Sequence, residues 1–196
     1  LGSYAVLDGC RVEALPYSER GTMRGWCAAV LREYPGLNLV GECWTASIPQ
    51  RAYWQGGNEN KDGFDSHLPS IMDFPLQEAI CRALPTDSLR WGEGMTRIYD
   101  CLSHDFVYHH LSKMMIFAGN HDTERIGDVV RKNPERLKLV MTMLATMRGV
   151  PQIFAGDEMM FTSKDLSQGH GGLRVDLPGG WAGADRNIFT HEGRAR

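Results

Sequence analysis

Short apolar runs that end in a carboxylate alternate with stretches of helical spacing along this chain, and no other feature limits its fold so strongly. The clearest run is Met114-Met115-Ile116-Phe117-Ala118-Gly119, closed by Asn120-His121-Asp122. A run without polar breaks reads as a strand buried on both faces. Leu37-Asn38-Leu39-Val40-Gly41 repeats the design and is closed by Glu42-Cys43-Trp44. Residues 8–13, 70–74 and 149–155 are three further strand candidates, with Glu13, Asp73 and Asp157 at or just after their ends.

Helical spacing fills the intervals. Residues 21–34 place Met23, Trp26, Cys27, Val30 and Leu31 on one face, and Pro35-Gly36 stops them. Residues 75–84, 94–102 and 134–148 read as helices, the last with Leu137, Val140, Met141, Leu144 and Ala145 as its core face. Residues 55–65 are rich in Gly, Asn and Asp and read as a loop, and residues 163–183 as a Gly-rich irregular tail. Strand and helix in alternation imply an α/β fold with parallel strands. No Gly-x-Gly-x-x-Gly turn follows the first strand, so the pattern favours a (β/α)8 barrel over a dinucleotide-binding sheet. Five strands are visible where a barrel has eight, which makes this a partial barrel.

In a barrel the C-terminal strand ends carry the chemistry. Two carboxylates at two strand ends, each beside a ring that can face a sugar, point to glycoside chemistry. The same groups have plainer readings. Arg11 can serve as a structural salt bridge, His121 as a core histidine, and Asp73 and Asp157 as supports of the barrel mouth. Trp44, Trp54 and Trp181 can stack on sugars or pack in the core, the Met141–Met147 stretch reads as core helix, and His109-His110 as a loop pair.

The 196 residues suffice for one domain with a substantial core. A net charge of −3 without a basic stripe disfavours a nucleic-acid partner. No apolar run approaches the ~20 residues of a membrane span. The five cysteines form no Cys-x-x-Cys pair, which argues against a zinc or redox site. No leader is recognisable. The chain opens on Leu1-Gly2-Ser3-Tyr4 and closes on Gly193-Arg194-Ala195-Arg196, and is expected to be an internal fragment with open sheet edges that folds poorly or self-associates alone.

On these residues the chain resembles the α-amylase superfamily, glycoside hydrolase family 13, and within it the neopullulanase and cyclomaltodextrinase group. Gly41-Glu42-Cys43-Trp44 resembles the family's fifth-strand motif. Phe117-Ala118-Gly119-Asn120-His121-Asp122 resembles the seventh-strand motif, and residues 149–158 the eighth-strand signature. Residues 65–76 are similar to the sixth-strand region, and residues 174–181 to the tail of that subgroup. The resemblance implies strands four to eight of the catalytic barrel, with residues 1–162 its C-terminal half and residues 163–196 a segment of the same domain after strand eight.

It also implies roles. Glu42 is the general acid/base, Asp122 the transition-state stabiliser, and Glu13 stands at the nucleophile position. Arg11, Trp44, Asn120, His121 and Arg125 are the expected substrate-binding residues, with Arg125 also able to pair with an acid. The fourth strand departs from the family's Gly-Phe-Arg-x-Asp: it reads Gly9-Cys10-Arg11-Val12-Glu13, with Glu for Asp and Cys for the aromatic.

The implied function is a retaining hydrolase of α-1,4 glucosidic bonds, with α-1,6 bonds left open, in cyclodextrins, pullulan, starch or malto-oligosaccharides. The alternatives are a catalytically impaired α-glucan-binding protein and a structural partner protein on the same fold. No cofactor is required and no metal site is expected here; calcium through other parts of the barrel stays open. The α-glucan is the expected partner. Oligomeric state and compartment stay open: periplasmic, secreted and cytoplasmic all fit.

Overall fold

The structure, a computed structural model, describes residues 7–45, 47–88, 90–165, 167, 169–184 and 187–189. The chain divides into two compact units, Leu1–Ala118 with Thr142–Gln152 and Gly119–Met141 with Ile153–Arg196.

The first unit holds all the strands. Strands β1 (Gly9–Val12), β2 (Asn38–Gly41) and β3 (Ser70–Ile71) pair in parallel in that order, and β4 (Met115–Phe117) pairs in parallel with β5 (Val150–Gln152). A parallel bridge between Met72 and Met115, with the Asp73 N–H donating to the Met115 carbonyl at 2.9 Å, joins the two sets. Strand order thus follows chain order. Helix α1 (Arg20–Glu33) returns the chain from β1 to β2, and α3 (Phe74–Ala83) and α4 (Thr96–Leu102) carry it from β3 to β4. Glu19 caps α1 by accepting from the N–H groups of Gly21 at 2.9 Å and Thr22 at 2.6 Å.

Side chains alternate across these strands with a period of two. Leu39, Ile71 and Met114 belong to one core cluster, shared with Met23 and Cys27 of α1. Val40, Met72, Met115 and Phe117 belong to a second cluster on the opposite side, completed by Phe74. Burial on both faces is what the unbroken apolar runs predict.

Several local expectations need correction. The strand expected over residues 70–74 ends at Ile71, because Asp73 turns the chain and caps α3 by accepting from the Leu76 N–H at 3.1 Å. A short helix, α2 (Ile48–Ala52), fills a stretch left unassigned. Trp26 and Ala145 are exposed, not core. Met141, Met143 and Met147 are half-buried where a core face was expected. Pro151 within β5 withdraws a backbone donor, as befits a strand with no second partner among the described residues.

The second unit contains α5 (Ile126–Val129) and α7 (His170–Leu173). Helix α7 lies in the tail expected to be irregular, and residues 166, 168, 185, 186 and 190–196 of the 163–196 segment fall outside the described residues. Helix α6 (Pro134–Thr146) buries Leu137, Val140 and Leu144 as its spacing predicts. Among the described residues no helix is long and apolar enough to cross a membrane.

Candidate active site

The register of β1 and β2 sets the positions of Arg11, Glu13 and Glu42. Val12 pairs with Gly41, so Glu13 and Glu42 follow directly at the aligned C-terminal ends of two adjacent parallel strands. Arg11 pairs with Val40, and Glu13 and Glu42 each lie two residues further on. Period-two alternation therefore puts all three on the side that carries Val40 and Met72. The Arg11 guanidinium accordingly donates from Nε to Met72 Sδ at 3.4 Å and from Nη2 to Glu42 Oε1 at 2.8 Å, and it forms a short ion pair with Glu13 through Nη1.

Glu42 is only 6% exposed, and its second oxygen accepts from the Ala14 N–H at 3.0 Å. Burial raises its pKa, and the Glu13 carboxyl within hydrogen-bonding reach pushes the same way; the Ala14 N–H and Arg11 oppose both without cancelling them. Two carboxyls that share one guanidinium thus differ in environment. Glu42 sits inside, where burial shifts its carboxyl upward, while the Glu13 side chain is 58% exposed. Gly41 makes this burial geometrically possible. A Cβ there would lie 2.4 Å from Leu68 Cδ2 and 2.7 Å from Leu15 Cδ2.

Trp44 stacks on Phe74 with ring centroids 4.8 Å apart and remains 48% exposed. Trp54, by contrast, is a core residue against Tyr53 and Phe64 and has no face for a sugar. Asp73 is wholly buried and ion-paired to Arg148 at 2.6 Å, and Arg148 also pairs with Asp105. This network supports the framework, as the plainer reading of Asp73 has it.

The second unit holds the other expected residues. Asn120 folds its own turn: Oδ1 accepts from the N–H groups of Asp122 and Thr123, both at 2.9 Å, and its N–H donates to Thr123 Oγ1 at 2.9 Å. Its Nδ2 is buried and has no hydrogen-bond partner. Asp122 is surrounded by nitrogen donors, with Arg174 Nη2 at 2.8 Å and His170 Nδ1 at 2.9 Å on one oxygen, and His121 Nε2 at 3.0 Å on the other. Burial works to raise its pKa, but Arg174, His121 and His170 outweigh it and hold the carboxyl below the usual range. Asp122 is therefore an ionised carboxylate.

Sequence reasoning missed Arg174 and His170, because nothing local in a Gly-rich tail signals a contact 52 residues away. Arg125, expected to touch substrate, is 1% exposed. Its guanidinium is spent on Asp157 at 3.0 Å and on the carbonyls of Ala155 at 2.7 Å and Leu173 at 2.9 Å, with the Phe154 ring 3.8 Å away. It pairs with an acid, the second role expected of it. Burial pushes the Asp157 carboxyl up to about 6 despite that ion pair. Trp181 is exposed.

Residues 17–184 match the family model of the α-amylase catalytic domain. The chain is 29% identical over 159 residues to a maltogenic α-amylase of Bacillus acidopullulyticus, covering 80% of this chain and 24% of that protein. It is 26% identical over 156 residues to a cyclomaltodextrinase of Geobacillus thermopakistaniensis, again covering 80% and 24%. It therefore spans about a quarter of the length of these curated relatives. The fold is similar to that of a Geobacillus thermoleovorans α-amylase crystallised with acarbose, with a TM-score of 0.67 at 24% identity over 80% of this chain and 33% of that one. A cyclic maltosyl-maltose hydrolase of Arthrobacter globiformis, in complex with its cyclic sugar, gives a TM-score of 0.68 at 21% identity over 86% of this chain and 35% of that one.

Proposed function

The chain belongs to the α-amylase family, and on that premise we propose that it supplies the carboxylates of a retaining glycoside hydrolase. Its substrates are α-1,4- and α-1,6-linked glucans: cyclodextrins, pullulan, starch or malto-oligosaccharides. In this reading β1 to β5 are strands four to eight of a (β/α)8 barrel, residues 1–162 are the C-terminal half of its catalytic domain, and residues 163–196 belong to the same domain.

The observation that carries the reading is the Glu13–Arg11–Glu42 arrangement at the aligned ends of β1 and β2. Glu42, buried and favouring its proton, gives that proton to the glycosidic oxygen as the bond to the leaving sugar breaks. The Glu13 carboxylate attacks the anomeric carbon and forms a glycosyl ester. Glu42, now a carboxylate, takes a proton from water, which attacks the same carbon and releases Glu13. Arg11 fixes the direction of the Glu13 side chain. Asp122, ionised among Arg174, His121 and His170, favours the cationic transition state electrostatically. Trp44 offers an exposed ring to a sugar face. These steps call for no cofactor.

Glu42→Gln tests the reading, since the amide keeps the shape and cannot give up a proton as an acid. Hydrolysis of β-cyclodextrin should fall by about 10²–10⁴-fold, with substrate affinity kept. Unchanged turnover would end the assignment.

A glucan-binding protein with an idle centre is the second reading, and the position of Glu13 favours it. A retaining pair works at about 5–5.5 Å, whereas the longer Glu13 side chain brings its carboxyl within hydrogen-bonding reach of Glu42.

A further inference from the structure

A cavity of about 460 Å³ opens in the first unit between α2, α3 and α4, and none of the proposed catalytic residues lines it. Its wall includes Arg51, which is 4% exposed. A guanidinium so deeply buried normally meets a carboxylate. Among the described residues Arg51 meets none. Its one hydrogen bond among them runs from Nε to the Cys43 carbonyl at 3.2 Å, and its charge lies 5.9 Å from the centre of the Phe74 ring.

The groups that act on this charge are Tyr108, Cys43, Asp73 and Glu78, and each is accounted for. Burial raises both the Tyr108 hydroxyl and the Cys43 thiol, so neither ionises near neutral pH. Asp73 is held by Arg148 at 2.6 Å, and Glu78 by Arg82 at 2.6 Å. The two terminal nitrogens of Arg51 have no hydrogen-bond partner, yet they are not among the buried unpartnered atoms. Arg51 is one of the residues that line the cavity. Arg82 and Arg97 add positive charge to the same wall, three guanidinium groups against the carboxylates of Glu78 and Asp100. At the mouth stands Trp91, whose side chain is fully exposed.

We propose that this cavity is a second ligand site that takes a phosphorylated sugar, with the phosphate on Arg51 and Arg97 and the sugar ring against Trp91. A phosphate dianion supplies the counter-charge that Arg51 lacks and accepts from its planar fork. An exposed indole is a suitable platform for the apolar face of a pyranose. The volume falls within the range of small-molecule sites.

Calorimetric titration of the protein with glucose 1-phosphate, inorganic phosphate and maltose tests the proposal. Glucose 1-phosphate should bind more tightly than inorganic phosphate, and maltose at saturating concentration should not displace it. Arg51→Gln should weaken both phosphate ligands by about tenfold or more, the loss of a charged hydrogen-bond donor. Trp91→Ala should weaken glucose 1-phosphate and leave inorganic phosphate unchanged. Trp91 supports no packing, so that variant and Arg97→Gln keep the test alive if Arg51→Gln does not fold. Failure of glucose 1-phosphate to bind at millimolar concentration would overturn the site. So would unaltered affinity in folded Arg51→Gln. Equal affinity for the two phosphates, with Trp91→Ala silent, would overturn the sugar half of the proposal.

Discussion

One methylene separates Glu13 from an aspartate, and it sets where the carboxyl can go. The longer arm reaches Arg11 and comes within hydrogen-bonding distance of Glu42 while leaving the side chain 58% exposed. Displacement of a nucleophile by about 1 Å can cost roughly 100-fold in rate. Glu13→Asp should therefore raise the turnover of β-cyclodextrin, read as kcat, by up to about that factor, and a drop would mean that the site has adapted to the longer side chain. Asp157 gives a prediction on pH. Its carboxyl titrates near 6 in the folded chain and near 3.9 when unfolded. Between those values the native state holds more protons, so the stability that Asp157 contributes is complete below about pH 4 and lost as pH rises through about 6. Asp157→Asn should remove that decline from denaturant-unfolding curves collected across the window. An identical slope in the variant would place the shift elsewhere.

At the scale of elements, register does most of the work. Parallel pairing of Val12 with Gly41 is what aligns Glu13 with Glu42, and the close approach at Gly41 is what seats Glu42 inside. Gly41→Ala should push Leu15 and Leu68 aside, destabilise the protein by about 1–3 kcal/mol and lower activity with it, as measured by chemical denaturation and assay together. The β3–α3 junction depends on Asp73, which caps α3 and holds Arg148. Asp73→Ala strands a half-buried guanidinium and should cost about 3–5 kcal/mol. A change under about 1 kcal/mol, within the range of an exposed pair, would show that Arg148 finds enough in Asp105. The strands and longer helices were legible in the sequence because their apolar spacing is a direct record of burial. Their ends were less so. Asp73 looked like the close of a strand and is the start of a helix, since capping depends on a turn that composition does not record.

At the scale of the molecule, the residues of the proposed chemistry were found because they fall at strand ends, while their partners were not. Arg11, Glu13 and Glu42 lie within one parallel pair, so alternation predicts their company. Arg174 and His170 reach Asp122 from a tail whose sequence carries no period. Arg125 shows the converse. Its nearness to Asp122 in sequence suggested a sugar contact, but burial against Asp157 and Phe154 is a tertiary fact. Arg51 went unnoticed because a lone arginine in a short helix becomes informative only when its missing counter-charge can be seen.

The central claim is that Glu13 attacks the anomeric carbon while Glu42 supplies the proton. A 5-fluoro-α-glucosyl fluoride should trap the first step, because the ring fluorine slows both steps while the anomeric fluoride, a good leaving group, keeps formation of the ester faster than its hydrolysis. Peptide mapping by mass spectrometry after this treatment is the most direct test. The account predicts one sugar ester, on the peptide that contains Glu13, and none in Glu13→Gln. Labelling at another carboxylate, or a protein that stays unlabelled while it hydrolyses cyclodextrin, would contradict it.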